Sequence, residues 1–196
     1  MADTIRIFIA IELEETQHSA LRGVQARFQR DRAAAFVRWV APESIHLTLK
    51  FLGDVAIDTM PALQRAVAEA CAGIAPFTLS LKGAGAFPNT RRPNVVWVGM
   101  GGQVERAALL AQRLDDATAA MGIARDERPF SAHLTLGRVK RDTGPDERQL
   151  VGKLIDRAAV GELGLVQVER VSTMKSELRP IGSVYTQLAA VELKRE

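Results

Sequence analysis

Hydrophobic and polar positions alternate over several short segments of the chain, which is the pattern of β-strands that bury one face. The clearest example lies near the N-terminus, where Ile5, Ile7, Ile9 and Ile11 are each separated by one residue. The same pattern predicts further strands at residues 37–40, 45–53, 77–81, 94–98, 132–139, 163–174 and 183–193. Residues 83–93 are rich in Gly, Pro and Arg and are predicted to form a loop.

Four other segments have helical patterns, with apolar residues spaced three and four apart or with start and stop signals at their ends. They are residues 15–30, 58–73, 103–121 and 144–161. This succession of helices and strands predicts an α+β protein. No linker or low-complexity segment divides the sequence, so we expect a single domain over residues 1–196.

The same order of elements occurs twice, as a helix, a strand with His-x-Thr, a second helix and two strands. His46 and His133 are 87 positions apart, and so are Arg92 and Arg179, each of which precedes a proline. Two separate landmarks with one offset indicate an internal duplication, and two copies are too few for a solenoid. We therefore expect two similar lobes that face each other around a pseudo-two-fold axis, each with an antiparallel sheet and helices. The lobe-like repeats span approximately residues 15–100 and 103–193.

Composition narrows the class of protein only slightly. The 196 residues are 47% hydrophobic and 25% charged, which is typical of a folded globular protein and too apolar for a disordered one. The net charge of +3 is too small to indicate nucleic-acid binding by itself, although 20 of the 26 basic residues are Arg. The single cysteine, Cys71, leaves no internal disulfide framework and is expected to be buried. The absence of a signal-peptide pattern and of a membrane-spanning run predicts a cytoplasmic location.

The residues that suggest chemistry are His46 with Thr48 and His133 with Thr135. Because side chains alternate along a strand, each His and its Thr share one face, while the intervening leucines face the core. If the lobes face each other, two imidazoles and two hydroxyls meet in one cleft. Imidazoles are suited to general acid and base catalysis near neutral pH, and hydroxyls can bind the oxygens of a phosphate. One His behind the nucleophile, the other behind the leaving group and the hydroxyls on the remaining oxygens would satisfy an in-line phosphoryl transfer, and a metal is unnecessary in this scheme.

Two alternative interpretations of the histidines remain open. Each could be a structural, hydrogen-bonded residue, although repetition of the whole motif favours catalysis. A zinc site on His46 and His133 would need a third protein ligand, and neither motif offers a carboxylate at a matching position. His18 is expected to lie on the solvated face of the first helix.

The sequence resembles the 2H phosphoesterases, whose signature is a pair of His-x-Thr-x motifs, and among them the RNA 2′,3′-cyclic phosphodiesterases, also called 2′-5′ RNA ligases. The matching segments are residues 6–11, 38–43, 46–53, 85–93, 96–99, 130–138 and 176–185. Ala132 departs from the proline that commonly precedes the second His of the family. This difference is expected to alter the entry into the strand and not the chemistry.

The resemblance implies a two-lobed α+β fold with the active site between the lobes. It also implies hydrolysis of RNA 2′,3′-cyclic phosphates to 2′-phosphomonoesters without a metal ion or other cofactor. By the resemblance, His46 is the proton donor to the leaving 3′-oxygen and His133 is the proton acceptor from water. Thr48, Thr135 and Arg138 correspond to the residues that bind the phosphate, although Arg138 could instead form a surface salt bridge.

Other candidates for contact with RNA are Arg91 and Arg92 in the loop, and the rings of Phe8 and Tyr185. Each has a plainer alternative, namely solvation of the arginines and core packing of the rings. The expected partners are RNA ends or small cyclic nucleotides, with no membrane and no obligate protein partner. The motifs do not separate hydrolysis from reversible 2′-5′ ligation, because both use the same histidines. A non-catalytic nucleotide-binding module is the third alternative.

Overall fold

A computed structural model describes residues 3–179 and 182–194, and these residues form nine β-strands and four α-helices, joined by turns, short 3-10 helices and irregular segments. The strands are β1 (Thr4–Ile11), β2 (Val37–Trp39), β3 (Leu47–Ala56), β4 (Phe77–Phe87), β5 (Val95–Gly102), β6 (His133–Val139), β7 (Glu162–Val168), β8 (Arg170–Arg179) and β9 (Gly182–Glu192). The helices are α1 (Glu15–Phe28), α2 (Met60–Cys71), α3 (Val104–Ala119) and α4 (Pro145–Arg157).

The strands form two antiparallel sheets, which confirms the predicted α+β class. The first sheet has the order β3-β1-β8-β9, and the second has the order β2-β6-β5-β4-β7. Helices α2 and α3 pack together and contact the first sheet, while α1 and α4 contact the second. Each sheet with its two helices makes one lobe. Within the described ranges, no helix is long and apolar enough to cross a membrane.

The two lobes do not coincide with the two sequence repeats. The first sheet combines β3 of the first repeat with β8 and β9 of the second, and the second sheet combines β6 with β4 and β5 of the first repeat. The helices are exchanged in the same way, since α2 lies with α3 and α1 lies in the lobe of α4. The repeats near residues 15–100 and 103–193 are therefore units of sequence, and each lobe needs both of them.

Strand β1 lies inside the first sheet, and its two faces explain its sequence. Ile7, Ile9 and Ile11 are buried in the main hydrophobic core under the helices. On the opposite face, Phe8 and Ala10 form a second, smaller cluster with Met174, against which Tyr185 packs. The predicted alternation is thus confirmed, but both faces of this strand are covered.

The structure corrects two predicted elements. The predicted loop at residues 83–93 is too long, because β4 continues to Phe87 and pairs with β5 as far as Phe87↔Val95. The predicted strand at residues 163–174 is two strands, since β7 pairs with β4 and β8 pairs with β1 in the other sheet. The chain crosses between the lobes at Glu169. Pro180, part of the second Arg-Pro landmark, lies outside the described residues.

A buried ion-pair network connects β3 to α3. The Nζ of Lys50, whose side chain is 0% exposed, donates to Oδ1 of Asp115 at 2.6 Å and to the carbonyl oxygen of Ala124 at 2.8 Å. Asp126 lies 3.3 Å from the same ammonium group, and Arg125 pairs with the other oxygen of Asp115. The network fixes the strand that carries the first motif against a helix of the second repeat.

We expect Asp115→Asn to lower the free energy of unfolding by about 3 kcal/mol, because it leaves the buried Lys50 without its nearest counter-charge. Urea unfolding followed by circular dichroism measures the change. Asp116→Asn is the matched control, because the side chain of Asp116 is 54% exposed and pairs only with the exposed Arg125 among the described residues. Equal losses of stability in the two variants would contradict the role given to Lys50.

Candidate active site

The two motifs lie at the starts of equivalent strands. His46 directly precedes β3, and His133 is the first residue of β6. Thr48 and Thr135 are half-buried, whereas the leucines between and after them are at most 3% exposed. Strands β3 and β6 contact each other although they belong to different sheets. The structure therefore brings the two motif strands together, with the leucines in the core as predicted.

Both imidazoles are held by the same backbone contact. Nδ1 of His46 lies 2.9 Å from the carbonyl oxygen of Ser44, and Nδ1 of His133 lies 2.7 Å from that of Ser131. A carbonyl oxygen only accepts, so Nδ1 carries hydrogen and donates in both rings. In the neutral ring this tautomer leaves the lone pair on Nε2. Each histidine therefore presents Nε2 as the atom that gains or loses a proton.

Aromatic rings contact both histidines. The ring of Phe8 stacks on His46 with centroids 4.6 Å apart, and Tyr185 meets His46 edge-on at 5.1 Å. Phe87 makes an edge contact with His133 at 4.8 Å. Phe8 is only 1% exposed, so the hypothesis that it stacks on a base is not supported, and its role is packing against His46. Tyr185 is half-buried and keeps an accessible surface.

A β-bulge follows each threonine and changes which residue comes next on its face. The pairing of β1 with β3 shifts between Lys50 and Thr48, and the pairing of β5 with β6 shifts between Gly137 and Thr135. As a result the fifth residue after each histidine, not the fourth, is exposed. In β3 that residue is Phe51, which is 57% exposed and lies 5.9 Å from Phe8 by ring centroids.

In β6 the equivalent residue is Arg138, which is exposed and whose positive charge contributes to lowering the pKa of His133. The second motif predicts Arg138 as a site residue, whereas Phe51 is not among the predicted residues. The 87-residue offset relates the two positions, so the repeat itself contained the signal for Phe51. An exposed phenyl ring beside the first motif is suited to stacking on a nucleobase.

Burial lowers the pKa of both histidines from the ordinary value of 6.5, but their charged neighbours differ. At His46, the carbonyl of Ser44 and the carboxylate of Glu12 both act against burial and favour the protonated ring. At His133, the carbonyl of Ser131 acts against burial, while Arg138 adds to it and lowers the pKa further. The electrostatics of the two motifs therefore differ although their hydrogen bonds match.

Glu12 is a further candidate that sequence analysis missed. The β1–β3 register ends at Ile11↔Leu47, and one more step places Glu12 opposite His46. Oε2 of Glu12 accepts hydrogen bonds of 2.6 Å from Oγ of Ser172 and from Nε2 of Gln187. These neutral donors hold the carboxylate in place without cancelling its charge.

Arg91 and Arg92 lie on a short loop that is firmly attached to α4. The side chain of Asn89 accepts from the backbone N–H groups of both arginines. The carbonyl oxygen of Thr90 lies so close to Gly152 of α4 that a Cβ there would collide with it. Both arginines are exposed, and Arg91 lines a pocket of about 310 Å³ beside α4. The loop begins one residue after Phe87, the ring that touches His133.

The remaining candidates have structural roles. His18 is half-buried rather than fully solvated, and its Nδ1 lies 2.8 Å from the carbonyl oxygen of Pro42, in the turn before His46. Cys71 is buried, as predicted, and burial raises the pKa of its thiol to about 11. In the described part of the chain, no group of three or more His, Cys, Asp or Glu side chains is arranged to hold a metal ion.

Comparison with known proteins identifies the class to which this fold and this pair of motifs belong. The sequence model of the LigT-like phosphoesterases matches residues 11–97 and again residues 98–185, so the two matches start 87 residues apart. The chain belongs to the LigT-like phosphoesterase family. The resemblance seen in the sequence is thereby confirmed, and with it the internal duplication.

Individual relatives agree over nearly the whole length. An RNA 2′,3′-cyclic phosphodiesterase of Methanothermobacter thermautotrophicus is 37% identical over 96% of this chain and 99% of its own. An RNA 2′,3′-cyclic phosphodiesterase of Archaeoglobus fulgidus is 30% identical over 96% of this chain and 100% of its own. Among solved structures, a protein of Thermus thermophilus superposes with a TM-score of 0.78 at 29% identity over 97% of this chain and 99% of its own. Escherichia coli LigT complexed with 3′-AMP superposes with a TM-score of 0.77 at 26% identity, over 97% of this chain and 99% of its own.

We expect nuclear magnetic resonance titration to give pKa values below 6.5 for both His46 and His133, because burial disfavours the charged ring. Glu12→Gln should lower the pKa of His46 further and leave that of His133 unchanged. Arg138→Gln should instead raise the pKa of His133. A change in the pKa of both histidines in either variant would show that the two histidines do not have separate charged neighbours.

Proposed function

We propose that this protein hydrolyses RNA 2′,3′-cyclic phosphate ends to 2′-phosphomonoesters by paired-histidine acid–base catalysis, without a metal ion. The relatives of similar length that carry the name RNA 2′,3′-cyclic phosphodiesterase support the substrate class. The observation that carries the mechanism is the matched pair of histidines, each with Nδ1 bonded to a backbone carbonyl and Nε2 left for proton transfer. Substrates are RNA ends or small cyclic nucleotides.

In the proposed reaction, Nε2 of His133 removes a proton from water as the water oxygen attacks phosphorus. The bond from phosphorus to the 3′-oxygen breaks, and Nε2 of His46 gives its proton to that oxygen. The neighbours support these roles, because Glu12 favours the protonated form of His46 and Arg138 favours the neutral form of His133. The product keeps its phosphate on the 2′-oxygen, and proton exchange with solvent returns both rings to their starting states.

The other candidates have roles around the phosphate and the RNA. The hydroxyls of Thr48 and Thr135 donate to the non-bridging oxygens, and Arg138 neutralises the charge that develops on them. Phe51 and Tyr185 offer ring surfaces for the terminal base, Phe51 being the more exposed. Arg91 and Arg92 bind the RNA backbone from their anchored loop.

The test uses a short RNA that ends in a 2′,3′-cyclic phosphate, incubated with the protein in excess EDTA. We expect conversion to a 2′-phosphate, and a loss of rate on the order of 10²–10⁴-fold in His46→Ala and in His133→Ala. Mass spectrometry and the position of the phosphate identify the product. His18→Asn is the control, because it retains a donor for the Pro42 carbonyl and should keep nearly full activity.

The other outcomes each exclude part of the proposal. Loss of activity in EDTA that zinc restores would refute metal independence. Joining of the cyclic end to an added 5′-hydroxyl RNA, in preference to hydrolysis, would show a 2′-5′ ligase that uses the same histidines. Tight binding of intact RNA without turnover would show a nucleotide-binding module.

A further inference from the structure

Strand β2 places a second guanidinium group beside the second motif. The register of β2 with β6 pairs Arg38 directly with Arg138. Direct partners in an antiparallel pair lie on the same face, with Cβ atoms about 5 Å apart. The two arginines are thus neighbours at the edge of the second sheet, although they are 100 positions apart in the chain.

The face that carries this pair is the one on which His133 lies. A Cβ on Gly137, the residue of β6 that pairs with Trp39, would meet the side chains of Val37 and Trp39, which lie on the core side of β2. Arg38 and Arg138 alternate with these residues and so face away from the core. The bulge after Thr135 brings Arg138 onto the face that carries His133 and Thr135, so the pair lies on the side of the active site. In agreement with this placement, Arg138 contributes to lowering the pKa of His133.

The pair has no counter-charge in the part of the chain that is described. Both residues are exposed, and neither guanidinium forms an ion pair or a hydrogen bond with another described side chain. Lys140, exposed and one residue beyond the end of β6, adds a third positive charge to this edge. Like charges directly opposite each other destabilise a strand pair, and a bound anion would remove this cost.

We propose that Arg38 is a substrate-binding residue that holds the internucleotide phosphate next to the terminal cyclic phosphate. This inference rests on the proposed function, in which Arg138 binds the cyclic phosphate. A phosphate group is the anion that the planar guanidinium fork recognises through two hydrogen bonds. An RNA end has such a second phosphate one nucleotide away, and a cyclic mononucleotide has none. Arg38 therefore gives a preference for an RNA chain of at least two nucleotides over a cyclic mononucleotide.

The test compares a dinucleotide with a 2′,3′-cyclic phosphate end and the matching cyclic mononucleotide as substrates of wild type and Arg38→Gln. We expect kcat/KM for the dinucleotide to fall about 10-fold, which is the loss of one charged hydrogen-bonded contact. The value for the mononucleotide should stay within about two-fold. The slope of log(kcat/KM) for the dinucleotide against log salt should become shallower by about 0.7, which corresponds to one phosphate contact on a single strand.

Two further variants make the outcome decisive. Arg65→Gln removes one positive charge from the exposed face of α2 and should leave kcat/KM unchanged for both substrates. Arg38→Lys keeps the positive charge but loses the planar guanidinium. Its kcat/KM for the dinucleotide should therefore lie between those of wild type and Arg38→Gln. Equal losses for both substrates in Arg38→Gln, or no loss for either, would overturn the proposal for Arg38. If wild type hydrolyses neither substrate, the proposed function itself fails.

Discussion

The candidate site depends on a single hydrogen bond made twice, from Nδ1 of a histidine to the carbonyl oxygen two residues before it. The bond fixes the tautomer of His46 and of His133 and directs Nε2 away from the backbone. It requires the chain to enter β3 and β6 in a similar way, although a short 3-10 helix ends at Ser44 whereas Ser131 lies in an irregular segment. Packing of Phe8 and Phe87 on the rings then limits their rotation. Neighbouring charges distinguish two otherwise equivalent imidazoles.

Much of this arrangement is predictable from the sequence, because its signals are local. The alternation of isoleucines predicts β1, and the repeated His-Leu-Thr-Leu predicts which side chains of β3 and β6 are buried. The offset of 87 residues predicts the duplication. Arg138 was also accessible to sequence analysis through its place at the end of the second motif.

The features that escaped prediction depend on contacts between distant segments. Glu12 faces His46 only because β1 pairs with β3 in one particular register, and Arg38 faces Arg138 only because β2 pairs with β6. A bulge cannot be read from alternation, so strict period-two counting puts Lys50 on the face that Phe51 occupies. The crossing from β7 to β8 at Glu169 cannot be predicted either, because an apolar strand pattern does not show which sheet a strand joins.

The exchange of strands and helices between the lobes has a consequence for the origin and folding of this architecture. A single repeat would contain one motif strand but not the hairpin or the first helix that complete its lobe. Two separate copies could complete these lobes only by exchanging their hairpins and first helices. The chain therefore has the topology of a domain-swapped homodimer fused into one polypeptide. The two half-sites now differ in charge: Glu12 lies opposite His46 where the other half-site has Gly99 opposite His133, and Arg138 occupies the position equivalent to Phe51. A symmetric pair of identical chains could not have assigned different charges to its two histidines.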